Sequence, residues 1–111
     1  MMARANTYIT DLRHFLDEET GDLAEMPSPA LRLAMFMVSI VAWVTGQEHA
    51  DDELTNVWCW RRPGRTRCRG EIVARLPPGS TEIVWQCPQC GLNGVISGWE
   101  DSLWDRRRRP A

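Results

Sequence analysis

The chain has 111 residues, 25% of them charged and 43% hydrophobic, with a formal net charge of −2. That balance excludes wholesale disorder, and the length excludes two full-sized domains. Two histidines, one tyrosine and no lysine leave little acid–base machinery, which argues against a conventional enzyme. The small net charge hides a split. Residues 1–56 carry three arginines against ten acids, whereas residues 57–111 carry ten arginines against five acids. A basic C-terminal half suits an anionic partner, or a docking of the two halves on each other.

Met1 to Thr10 contains one arginine and no apolar h-region, so no secretory leader is expected. A cytoplasmic location with reduced cysteines follows. Tyr8, Ile9, Leu12, Phe15 and Leu16 fit a short amphipathic helix, although Tyr8-Ile9-Thr10 fits an extended start equally well. Glu19-Thr20-Gly21-Asp22 reads as a turn. Ser28 as N-cap, Pro29 at the first helical position and Gly46 as a left-handed stop then predict a helix over 29–45. Its apolar run, Leu33 to Val44, falls short of the ~20 residues that span a bilayer, so no membrane association is expected. Apolar side chains from Leu31 to Val44 cover most of its circumference. That predicts burial on several sides, within the domain or in a homodimer.

The polar, acidic stretch 47–56 reads as a linker or capped turn. Beyond it the pattern turns to strands. Residues 71–76 and 81–86 are β-branched and aromatic and form a hairpin around Pro77-Pro78-Gly79-Ser80, and 94–99 supplies a third antiparallel strand. The expected fold is α+β: a helical N-terminal part over 1–56 with one buried apolar helix, then a small antiparallel sheet domain over 57–105. The basic run Arg106 to Arg109 makes 106–111 a tail expected to be disordered.

Cys59, Cys68, Cys87 and Cys90 stand in the spacing C-x8-C-x18-C-x2-C. Two thiolates separated by two residues reach one metal ion, and a glycine after the second lets backbone N–H groups turn toward the sulfurs. Four thiolates around one tetrahedral Zn²⁺ form a closed structural site with no open position for water, which argues against zinc catalysis. The alternatives are a dithiol redox site at Cys87 and Cys90, an iron–sulfur cluster, and buried unligated thiols. The redox reading needs a helix opening at the motif, and Gly91-Leu92-Asn93-Gly94 is turn sequence. Zinc has a clear task here, since a structural site contributes on the order of 10 kcal/mol of apparent folding free energy to a small sheet.

With the knuckle Cys87-Pro88-Gln89-Cys90-Gly91, a hairpin before it and a strand after it, residues 57–99 resemble a zinc ribbon. Most ribbons carry C-x2-C or C-x4-C in their first knuckle, whereas Cys59 and Cys68 are eight residues apart. The whole chain resembles small bacterial proteins that pair a helical N-terminal part with such a ribbon, a resemblance that implies no activity.

Arg61, Arg62, Arg65, Arg67 and Arg69 crowd the loop between and beside the first two cysteines. Guanidinium forks match phosphate oxygens, and a loop pinned at both ends loses little entropy on binding. Trp58 and Trp60 flank Cys59, so one offers a stacking face to an unpaired base while the other packs on the ribbon. Trp60 is assigned the contact. The expected function is a structural-zinc, non-enzymatic protein that binds nucleic acid or regulates through this loop. The alternative is an interaction adaptor whose arginines meet an acidic protein surface, or an internal pairing with Glu48, Asp51, Asp52, Glu53 or the acids of 17–25. His14 with Asp17 and Glu18, and His49 with its neighbouring acids, read as surface histidines and caps rather than as sites.

Overall fold

The computed structural model describes residues 7–46, 53–62 and 64–107. Tyr8 belongs to a strand, β1 (Thr7–Asp11), which pairs in parallel with β5 (Asn93–Ser97). Its period is two: Thr10 turns inward and is buried, while Ile9 between its neighbours is 82% exposed. Asp11 accepts the Arg13 N–H at 3.0 Å and so caps a single 3-10 turn, Leu12–Phe15. One turn cannot carry an amphipathic stripe, and Leu12 alone of its residues is buried. The extended alternative therefore wins over the helix.

The sheet has five strands in the order β1-β5-β4-β3-β2, with β2 at Glu53–Trp58, β3 at Glu71–Arg75 and β4 at Ile83–Gln86. All neighbours except β1 and β5 are antiparallel. Residue 56, the expected boundary between halves, lies inside β2, and β1 from the N-terminal part joins the same sheet as β3, β4 and β5. The stretch read as a linker thus ends in a strand, and its first part, 47–52, lies outside the described residues. β2 escapes a pattern search because its apolar residues, Leu54, Val57 and Trp58, do not alternate with its polar ones. Asn56 takes a left-handed φ of 60° and the register shifts between Leu54 and Trp58, a bulge that Asn tolerates better than most residues. The buried Thr55 hydroxyl donates to the Ile72 carbonyl at 2.9 Å.

α1 spans Ser28–Gly46. The Leu31 N–H donates to the Pro27 carbonyl at 2.9 Å, so Pro27 takes the capping position. Ser28 and Pro29 become the first two helical residues, where a missing N–H costs nothing. Gly46 is helical to the end and does not adopt a positive φ. The last described turn is tied to the C-terminal segment, where the Arg106 N–H donates to the Thr45 hydroxyl at 2.8 Å.

Phe36, Met37, Ile40, Val41 and Val44 pack onto the inward sheet residues Ile72, Ala74, Ile83, Trp85 and Ile96. Phe36 meets Trp85 edge-on at 5.1 Å. The other side of the helix leaves Met35 53% exposed. Burial is thus confined to one broad face, because a single sheet covers the helix. By length and composition its 19 residues are also apolar enough to cross a membrane, beyond what the run Leu33 to Val44 suggests.

After β5 the chain folds back. Trp99 is fully buried and donates its indole N–H to the Thr81 carbonyl at 3.0 Å. Arg107 lies over the Trp99 ring at 4.5 Å and grips the Asp105 carboxylate, with NH2 to Oδ2 at 2.8 Å and Nε to Oδ1 at 3.0 Å. The start of the basic tail is therefore tied to the fold, and Arg108 to Ala111 lie outside the described residues. Burial raises the Asp105 pKa, but the Arg107 guanidinium and the N–H groups of Asp101 and Arg107 outweigh it and hold the carboxyl at about 2. A folded pKa below the unfolded value means stability present at neutral pH and lost as pH falls from about 5 toward 2. Asp105→Asn should cost about 2 kcal/mol at pH 7. Urea melts should show a smaller loss between pH 5 and 2 in the variant than in the parent; equal losses would contradict it.

Candidate metal centre

β2 and β4 run in the same direction, so the β2–β3 and β4–β5 connections lie side by side at one end of the sheet. Each connection carries two cysteines. Cys59 follows β2 and Cys68 precedes β3; Cys87 follows β4 and Cys90 precedes β5. The four sulfurs lie within 4.8 Å of one another, and Cys59, Cys68 and Cys87 are buried. The Cys59 and Cys90 sulfurs are 3.7 Å apart, and those of Cys68 and Cys87 are 3.6 Å apart. A disulfide would bring a pair to about 2.05 Å. Four sulfurs each about 2.3 Å from a tetrahedral centre stand about 3.8 Å from one another. The cluster is therefore sized for a metal ion and not for two disulfides.

Backbone amides complete the cage in a repeating way. The N–H two residues after each cysteine points at its sulfur: Arg61 to Cys59 at 3.4 Å, Gly70 to Cys68 at 3.3 Å, Gln89 to Cys87 and Leu92 to Cys90. These donors favour thiolate, the form a metal requires. Burial pushes the Cys59 and Cys87 thiols upward. At Cys90 burial acts the same way, but the Leu92 N–H and the three neighbouring thiols outweigh it and bring the group to about 7.

The two half-sites also share their base. The Cys59 N–H donates to the Gly70 carbonyl at 2.9 Å, as the Cys87 N–H donates to the Leu92 carbonyl at 2.6 Å. In the first half the Cys68 N–H closes onto the Arg61 carbonyl at 2.8 Å. Residues 62–67 are pinched off by that bond. Without them, Cys59-Trp60-Arg61 would run directly into Cys68-Arg69-Gly70, a C-x2-C knuckle matching Cys87 to Leu92. The long first spacing is thus an ordinary knuckle carrying a six-residue loop, counted from 62 to 67. After Cys90 the chain turns into β5 and not into a helix, so the motif lacks the helix N-terminus of the dithiol redox reading.

That loop holds most of the arginines singled out in the sequence. Arg62, Arg65, Arg67 and Arg69 are exposed, and Arg61 is half-buried with its NH1 donating to the Cys90 carbonyl at 3.3 Å. The Arg67 Nε–H donates to the Cys59 carbonyl at 3.3 Å. Among the described side chains no carboxylate pairs with any of the five; Glu48, Asp51, Asp52 and the Glu53 side chain lie outside that set. Trp60 turns inward. Its ring sits edge-on to Tyr8 at 5.7 Å and to Phe36 at 6.3 Å. Of the two tryptophans beside Cys59, Trp58 is the one that faces solvent, at 54% exposure. His14 is exposed, and His49 lies outside the described residues.

Gly70 was not marked by the sequence pattern. A Cβ there would overlap the Cys87 sulfur and stand 3.0 Å from the Gln89 Cβ. The only signal was a glycine two residues after a cysteine, beside the partner half-site. Comparison with known families, with curated proteins and with solved structures finds no match. The likeness to a zinc ribbon therefore rests on the geometry of the four cysteines, which could hold a metal ion.

Proposed function

We propose that the four cysteines hold one structural Zn²⁺ and that the protein is a non-enzymatic nucleic-acid-binding protein working through the loop the metal pins. Sulfur-only donors select zinc or an iron–sulfur cluster, and one ion fills a cage of this size. The observation that carries the reading is the pinched loop. Its arginines are exposed and unpaired among the described residues, and their backbone is fixed at the Arg61–Cys68 bond and by the metal ligands on either side. Such a surface binds phosphates without first ordering a chain.

About four phosphate contacts imply an affinity that drops roughly 50- to 150-fold between about 50 and 200 mM salt. In Arg65→Glu/Arg67→Glu the salt slope should fall by about two contacts, with at least ~10-fold weaker binding at low salt. Titration of a fluorescently labelled oligonucleotide by anisotropy reads both. Absence of binding at low salt by a zinc-loaded protein would overturn the reading and leave an acidic protein surface as the partner for the arginines.

A further inference from the structure

Trp58 is the last residue of β2 and directly precedes Cys59. Its backbone is held on one side by pairing with Glu71 and on the other by a cysteine of the metal centre. A side chain so firmly based would ordinarily be packed, yet it is the one aromatic ring more than half exposed among the described residues. It lines a hollow together with Thr66, Arg67, Cys68 and Arg69. Arg67 reaches this hollow with its Nε–H already committed to the Cys59 carbonyl, which leaves its two terminal nitrogens for a ligand. Arg69 is exposed beside it, and Thr66 adds a hydroxyl.

We infer that Trp58 is a base-stacking platform and that this hollow selects single-stranded over double-stranded nucleic acid. The inference rests on the reading of the loop as a nucleic-acid surface and adds which form it takes. An indole rimmed by cations matches an unpaired nucleotide: the plane takes the base, and the guanidinium groups take the phosphates on either side. In a duplex both faces of each base are already stacked, so Trp58 gains nothing there and only the phosphate contacts remain. Trp60 cannot serve in this way, because Tyr8 and Phe36 already occupy its surroundings.

The test uses the full zinc-loaded chain and a labelled oligonucleotide of about 12 nucleotides, free or annealed to its complement, at about 50 mM salt. The parent protein should bind the single strand at least ~10-fold more tightly than the duplex. Trp58→Ala should lose roughly 10- to 100-fold on the single strand and little on the duplex, whereas Trp58→Phe keeps most of the affinity. Zinc content and melting temperature of both variants show that the knuckle is intact, and Trp58→Phe keeps the test valid where the alanine variant fails to fold. Equal affinity for both probes, or a single-strand affinity untouched in a folded Trp58→Ala, overturns the inference while leaving the basic-loop reading in place. Failure of both probes to bind the parent protein overturns that reading, and this inference with it.

Discussion

Exhaustive chelation is expected to abolish the cooperative unfolding transition, leaving a chain without a fixed sheet. The argument is one of magnitude. A domain of this size has a net stability of about 5–15 kcal/mol, and a structural zinc site contributes on the order of 10 kcal/mol. The cysteines also sit in the same core as α1: Cys59, Cys68 and Cys87 are buried with Phe36, Ile72 and Trp85 in one cluster. Loss of the ion therefore cannot be confined to the end of the sheet. Single replacements separate this from a core of unligated thiols. If the sulfurs only fill space, Cys90→Ser should be nearly silent, because Cys90 is the half-buried member of the four. If they hold a metal, Cys90→Ser should be as damaging as Cys68→Ser. Elemental analysis with calorimetry decides it, and a verified metal-free chain that melts like the parent would refute the metal reading.

The parts of this architecture legible in the sequence are those whose signal is local. The apolar run around Met37 to Val44 announces α1, and the β-branched stretches around Ile72 and Val84 announce the β3–β4 hairpin. Four cysteines, two of them in a knuckle, announce the cluster that could hold a metal ion. What escaped depends on distant partners. Tyr8 and Thr10 form a strand because β5 offers Asn93 to Ser97 as a parallel partner more than eighty positions away, and parallel pairing leaves no turn signal between the strands. Trp60 packs against the core, half-buried, because β1 and α1 bring Tyr8 and Phe36 to it. The register of the first knuckle was hidden for another reason. Spacing counts residues, whereas the Cys68–Arg61 bond removes six of them from the path that matters.

The same distinction between spacing and space gives the second large expectation. Gly70→Ala should evict the metal or unfold the domain, although the substitution adds one methyl group. Gly70 does not have the positive φ that usually requires glycine. Its N–H supports the Cys68 sulfur and its carbonyl accepts the Cys59 N–H, so its backbone cannot retreat without loosening two ligands. The added methyl would fall on the Cys87 sulfur, with the Cys68 sulfur 3.4 Å away on another side. Gly91, in the other knuckle, is the natural control. It has a φ of 84°, and a Cβ there would meet nothing within 4 Å. Gly91→Ala should therefore cost about 1–2 kcal/mol in backbone strain and keep the ion. Metal content and thermal stability measured on the pair distinguish crowding from strain. If Gly70→Ala holds its metal at parental stability while Gly91→Ala does not, the packing of the two half-sites around a common ion is not as described.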